Sequence, residues 1–142
     1  ASDNLEAATK QADVIVTATP STKAMINAEW VTPGTHINTM GADMAGKQEV
    51  DEQLFRSANV YVDDRTQAAE VGEAQTAVKA GITTAEQLPE IGELLAKTSD
   101  NQWDAKSVTL FDSTGIALQD IASANLALEN AAKLNLGQTI TL

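Results

Sequence analysis

Four clusters of small, hydroxylic and acidic residues recur along the chain, each directly behind a short run of β-branched and apolar residues. They are Thr17, Thr19 and Ser21; Asn38, Gly41 and Asp43; Asp63, Asp64 and Arg65; and Asp112, Ser113, Thr114 and Gly115. A carboxylate in such a place can accept or return a proton, and small residues let the backbone approach a flat ligand closely. Taken singly, each cluster is a polar loop, with Pro20, Gly34 and Gly41 turning the chain. Four of them behind four strand-like runs point to one ligand-binding edge, because open parallel sheets bind ligands beyond the carboxyl ends of their strands.

Other conspicuous residues carry less chemistry. His36 is the single histidine and sits inside a strand-like run, which favours a hydrogen-bonded structural role over a metal site or a catalytic triad. Asp63-Asp64 follows the third run, whereas the acidic pair of a phosphoacceptor receiver belongs at its first. Met25, Met40 and Met44 read as core or pocket filler.

The elements that must position these residues alternate. Strands are predicted at Asp13–Thr19, Thr35–Thr39, Asn59–Val62 and Ser107–Phe111. Residues 1–10 read as the end of a helix leading into the first strand. Further helices are predicted over 52–57 with Asp51 as N-cap, over Thr66–Gly72, over Thr84–Lys97 and from Gly115 to about Leu134. This alternation implies an α/β fold with a parallel sheet covered by helices, and the unbroken run Val14-Ile15-Val16 suits a strand buried on both faces. Residues 97–106 are polar enough for a surface loop. Gln138–Leu142 alternates like a strand of a different sheet.

The chain has 142 residues, 43% of them hydrophobic, which is enough for one compact domain. Twenty acidic against nine basic side chains give a net charge of −11, which argues against nucleic acid and anionic membranes as partners. There is no cysteine, so no disulfide framework or thiolate metal site is available. With no membrane-length apolar run and no signal-peptide pattern, the cytoplasm is the default compartment.

The blocks ADVIVTATPS (12–21), EWVTPGTHINTMGADMAGKQEVD (29–51), VYVDDRTQAAEVGE (60–73), EIGELLAK (90–97) and TLFDSTGIALQDIASANLALENA (109–131) resemble, in order and spacing, those of the ornithine cyclodeaminase/mu-crystallin family. The resemblance implies that the fold is the second half of a Rossmann-like dinucleotide-binding domain. Residues 1–135 would supply that half, and 136–142 would be a terminal strand belonging to an otherwise missing substrate and dimerisation domain. It further implies a parent enzyme that uses NAD or NADP on a small α-amino or α-imino acid, by cyclodeamination, oxidative deamination or imine reduction.

By the same resemblance Asp43 is the acid/base near the nicotinamide and the substrate α-carbon, although on its residues alone it is a turn or capping residue after Gly41. Thr17, Ala18, Thr19, Met40 and Gly41 would lie against the cofactor, as would Ser113, Thr114 and Gly115, with Ile116 facing the substrate. Ser113 or Thr114 equally well reads as an N-cap of the long helix. The family's G-x-G-x-x-[AG] turn, which holds a pyrophosphate, does not occur in the 142 residues, and its substrate-carboxylate ligands belong to another domain. The chain alone is therefore expected to bind the cofactor weakly or not at all. Two classes stay open, a piece of such an enzyme or a non-catalytic binding or assembly module. In either case the run 13–19 lacks its usual neighbour strand, which favours a homo-oligomer through that edge or through 138–142.

Overall fold

The computed structural model describes residues 2–96, 104–138 and 140. Four parallel strands form the main sheet: β1 (Val14–Thr17), β3 (His36–Thr39), β5 (Asn59–Val62) and β6 (Thr109–Asp112), in the spatial order β1-β3-β6-β5. Two further strands, β2 (Thr22–Ile26) and β4 (Gln48–Val50), pair in parallel as a separate ribbon. The helices are α1 (Leu5–Lys10), α2 (Leu54–Ser57), α3 (Arg65–Glu70), α4 (Ala74–Lys79), α5 (Ile91–Ala96) and α6 (Ala117–Leu134). The expected parallel α/β sheet is present. The last strand in sequence lies between β3 and β5 rather than at the sheet's edge.

Strand register determines which side chains face the core. Ile15, Ile37 and Leu110 lie side by side on neighbouring strands, and Thr17, Thr39, Asp112 and Val62 form the next row on the same face. All seven are buried, packed against Ile26 of β2, Val50 of β4, Leu54 and Phe55 of α2, Ala68 of α3, and Ala74 and Ala77 of α4. The covered face is thus apolar in its middle and polar at the carboxyl end of its strands.

The other face has no such cover. Val14 and Val16 are 59% and 62% exposed, which corrects the expectation of a first strand buried on both sides. The physical reason is that α6, the helix long enough to cross this face, buries none of its residues, and Leu118, Ile121 and Leu128 stay exposed. His36 lies on this face and bonds Thr109 Oγ1 through Nδ1 (2.7 Å) and Asn38 Oδ1 through Nε2 (3.2 Å), as a structural histidine should.

Two helical expectations need correction. The helix expected over Thr84–Lys97 is a short 3-10 turn at Ala85–Gln87, an extended Leu88-Pro89-Glu90 segment and then α5. Pro89 lacks an N–H and biases Leu88 away from helical angles; its carbonyl instead accepts the Val62 N–H at 3.0 Å and covers the edge of β5. Asp51 does not cap a helix from residue 52, although its carboxylate accepts the Gln53 N–H (2.9 Å) and holds a turn ahead of α2. Most of the loop at 97–106, and residues 139 and 141–142 of the strand expected over Gln138–Leu142, lie outside the described residues.

At the β1 edge, Leu5, Ala8 and Ala12 join Val14, Val16 and Met25 in lining an apolar cleft of about 440 Å³. A strand with one unpaired row of amides and carbonyls beside such a surface is a template for another strand. Concentration-dependent association of the isolated chain is the expected outcome in sedimentation, and Val16→Lys should weaken it. A strict monomer whose amides 14–17 exchange freely with solvent would contradict this.

Candidate functional site

Four buried or nearly buried carboxylates cross the carboxyl end of the sheet, and each accepts backbone N–H groups from segments distant from it in sequence. Asp63, just past β5, takes the loop that follows β6. Its Oδ2 accepts the N–H groups of Thr114 (2.9 Å) and Gly115 (3.0 Å) and the Ser113 hydroxyl (3.0 Å), while Oδ1 accepts the Thr114 hydroxyl (3.1 Å). Ser113 and Thr114 therefore do not cap α6. The N-cap position belongs to Ile116, and no side chain bonds there. Asp64, the neighbour of Asp63, caps α3 by accepting the Gln67 N–H at 2.7 Å.

Asp112 ends β6 with no solvent exposure and accepts the N–H groups of Glu73 (3.1 Å) and Ala74 (2.9 Å) at the start of α4. Glu73, also fully buried, directs Oε1 at the N–H groups of Glu49 and Val50, each at 2.7 Å. Glu49 completes the series. Its Oε2 accepts the Thr17 hydroxyl (2.7 Å) and the Gly41 N–H (2.9 Å), and its Oε1 accepts the Thr19 N–H (2.6 Å). The loops after all four main-sheet strands are thus tied together through side chain to backbone bonds.

Burial pushes the Glu73 carboxyl up to about 7, against the pull of the two N–H groups it accepts, and the nearby Asp112 and Glu49 add to the rise. Asp112 is pushed up to about 7 by the same cause, opposed by the Ala74 and Glu73 N–H groups. Among the described residues, Glu73 Oε2 is the buried side-chain oxygen with no hydrogen-bond partner.

Asp43 differs from all of these. It lies in the loop after β3 with its side chain 56% exposed, and Lys47 Nζ sits 2.5 Å from its Oδ1. The hydrogen bond and charge of Lys47 hold the Asp43 carboxyl below its usual range. Lys47 Nζ also donates to the Gly41 carbonyl at 3.1 Å. Gly41 is confined from both sides: a Cβ there would overlap Thr19 O and the Glu49 carboxylate, so only glycine fits.

Of the residues singled out in sequence, the fold gathers Thr17, Ala18 and Thr19 with Met40, Gly41 and Asp43 at the adjacent ends of β1 and β3. Thr17 turns its hydroxyl inward, whereas Ala18 and Met40 are exposed. Met44 is exposed too, and Met25 half-buried, so none of the three methionines is core. Ser113 and Thr114 are buried against Asp63, leaving Gly115 exposed and Ile116 half-buried at the outer surface of their loop. Glu49 and Glu73 escaped the sequence reading. Their signal was slight: Glu49 flanks apolar Val50 in a three-residue strand, and Glu73 stands beside Gly72 just ahead of α4.

The raised carboxyls set the sign of a pH effect. In the unfolded chain Glu73 loses its proton near 4.5 and in the folded chain near 7, so the folded state holds more protons between those values. The stability from this group is complete below the lower value and is lost as pH rises through the higher one. Urea midpoints should therefore fall between about pH 5 and about pH 8. Glu73→Gln, which keeps an oxygen for Glu49 and Val50 N–H, should flatten that fall, and an equal fall in the variant would show that Glu73 is not its source.

Residues 1–135 match the ornithine cyclodeaminase/mu-crystallin family. Alanine dehydrogenase of Archaeoglobus fulgidus is 46% identical over 129 residues, 90% of this chain and 40% of that protein. A solved archaeal alanine dehydrogenase dimer with bound NAD superposes with a TM-score of 0.85 at 43% identity, covering 99% of this chain and 44% of that one. The iminosuccinate reductase of Paracoccus denitrificans, solved with NAD+, gives a TM-score of 0.87 at 37% identity over 98% of this chain and 43% of that one. The chain thus spans less than half the length of the relatives it matches, and over nearly all of its own length it belongs to the ornithine cyclodeaminase/mu-crystallin family.

Proposed function

We propose that this chain is part of an NAD(P)-dependent enzyme that acts on a small α-amino or α-imino acid, with Asp43 as the proton acceptor and donor. The carrying observation is the placement of Asp43. It is an ionised, accessible carboxylate beyond the carboxyl end of β3, beside the exposed Ala18 and half-buried Thr19 that follow β1. Relatives solved with NAD over this same region support the reading.

The chain fits one half of such a cofactor. Where β1 and β3 end, Thr17 and Thr39 turn inward, and the outward surface is backbone, Ala18, Gly41 and Met40, against which a flat ring can lie. No glycine-rich phosphate turn is among the 142 residues. The dinucleotide, when bound, supplies hydride transfer at the substrate α-carbon.

The chain's own residues would handle orientation and protons. Oxidation of an amine to an imine releases the α-hydrogen as hydride and one proton from nitrogen, and Asp43 takes that proton; in imine reduction it returns it. Gly115, whose N–H is held by Asp63, would lie against the cofactor, and Ile116 beside it would face the substrate. Thr19 and Gly41 act through their backbones, and Thr17, Ser113 and Thr114 act by fixing the loops. We assign residues 1–135 to the dinucleotide-binding domain and 136–142 to a strand of the substrate and dimerisation domain.

A second reading, a non-catalytic binding or assembly module, draws on the missing phosphate turn and the open β1 edge. The intact mass of the natural product separates the two, since a full-length enzyme supports the first and a mature chain of this length the second.

In the full-length protein, assayed with L-alanine and ornithine in oxidation or cyclodeamination and with iminosuccinate in reduction, Asp43→Asn should lower turnover by about two to four orders of magnitude. Cofactor affinity should barely change. Turnover equal to wild type in the variant would exclude the acid/base role. For the isolated chain, calorimetric titration with NAD and NADP should show weak or no binding, and micromolar affinity would mean that the pyrophosphate is held by something other than a glycine turn.

A further inference from the structure

Lys47 and Glu49 lie two residues apart where the chain enters β4, a spacing that puts both side chains on one side of an extended segment. They hold the same residue, Gly41, through the two peptide units that flank it. Glu49 Oε2 accepts the Gly41 N–H at 2.9 Å, and Lys47 Nζ donates to the Gly41 carbonyl at 3.1 Å while contacting Asp43 at 2.5 Å. We propose that Lys47 and Glu49 are positioning residues, a two-sided clamp on Gly41 that sets the place and protonation state of Asp43; the proposal rests on the acid/base reading of Asp43 above.

Burial separates the two halves of the clamp. Glu49 is fully buried, and its backbone N–H is held by Glu73, whose own N–H is held by Asp112 on the sheet. Its end of the clamp is therefore anchored to β6. The Lys47 side chain is 16% exposed against 56% for Asp43, so the cation is the fixed inner partner and the carboxylate the accessible outer one. The loop's other tie is to α4, where Gln75 Oε1 accepts the Gly46 N–H (2.8 Å) and also Lys79 Nζ (3.1 Å). The charged groups around the Asp43 loop are thus Lys47, Glu49 and, through Gln75, Lys79.

The arrangement suits a proton acceptor. A free carboxylate at a loop tip swings among rotamers and becomes neutral in mild acid. One paired with a fixed ammonium keeps one aim and stays ionised to lower pH. As an exposed ion pair it adds little to stability, so its removal should alter chemistry more than folding. That difference separates positioning from mere structural support.

The test compares Lys47→Met, Lys47→Arg, Asp43→Asn and the Lys47→Met/Asp43→Asn double variant in the full-length protein, using the substrate of highest turnover among the three above. Lys47→Met should move the acidic limb of kcat/KM to higher pH and lower kcat several-fold, with cofactor KM and Tm nearly unchanged. Lys47→Arg should restore most of the wild-type profile, and Lys47→Met should add no further loss to Asp43→Asn. Glu49→Gln places an NH2 group where three donors need acceptors, so it should raise cofactor KM and quicken exchange of the Thr19 and Gly41 amides.

If Asp43→Asn abolishes turnover but Lys47→Met leaves the acidic limb in place, the clamp is wrong and the acid/base reading stands. If Asp43→Asn has full turnover, both fall. Carboxyl carbon NMR of the chain itself gives an answer without catalysis. Asp43 should titrate below the usual aspartate range and move up in Lys47→Met but not in Lys47→Arg, and an Asp43 titration indifferent to Lys47 would overturn the proposal.

Discussion

Backbone N–H groups held by buried carboxylates are the interaction on which this domain depends. Loops at the carboxyl end of a parallel sheet have no strand partner, and their N–H groups need acceptors once helices and ribbon strands close over them. Water would serve, but it would leave the loops free to move. Here Asp63, Asp112, Glu73 and Glu49 each accept from a loop they do not belong to. An ionised or partly ionised acceptor forms stronger bonds than a carbonyl, and its two oxygens can gather donors from two or three places. The price is desolvation, visible in the raised carboxyls of Glu73 and Asp112.

This frame explains why the sheet needs little apolar surface near its active end. Ile15, Ile37 and Leu110 form the apolar row, and immediately above them Thr17, Thr39 and Asp112 begin the polar network on the same face. Packing below holds the strands in register, while hydrogen bonds above hold the loops in place relative to one another. The opposite face shows what happens without a covering layer: among the described residues Val14 and Val16 stay exposed, and so do the α6 leucines Leu118, Leu126 and Leu128. This face and the β1 edge are the apolar surfaces left open among the described residues.

The parts legible in sequence were those governed by local pattern. β-branched runs gave all four main strands, and polar residues behind them located the edge where the loops gather. The hydrogen-bonded role of His36 was also readable. What could not be read depends on tertiary partners. Val14-Ile15-Val16 has the composition of a doubly buried strand, yet burial on its second face needs an element that the chain does not place there. β2 and β4, at three to five residues with Lys23, Gln48 and Glu49 among them, carry no clear alternation and exist because they pair with each other. Ser113 and Thr114 have the composition of helix caps, but Asp63, fifty residues away in sequence, competes for their hydroxyls and wins. Glu49 and Glu73 looked like surface acids because no local rule marks a carboxylate for burial.

The same residue type thus does two opposed things within a few ångströms of the Gly41 loop. Asp112 and Glu73 lie where water is excluded and neighbours are acidic, so their protons are held more tightly than in solution. Asp43 lies where water reaches and a lysine is paired with it, so its proton is held less tightly. A carboxylate network that fixes backbone tolerates raised values, since an oxygen that keeps a proton on one side can still accept on the other. The acid/base role proposed for Asp43 draws on its exposure, since a base that takes a proton from a substrate must be reachable and unprotonated. The fold achieves this separation by pairing Asp43 with Lys47 at the surface and burying the acidic network beneath it. Glu49 and Lys47 stand two residues apart, the glutamate fully buried and the lysine nearly so, and between them they tie Gly41 and the exposed Asp43 to the buried network.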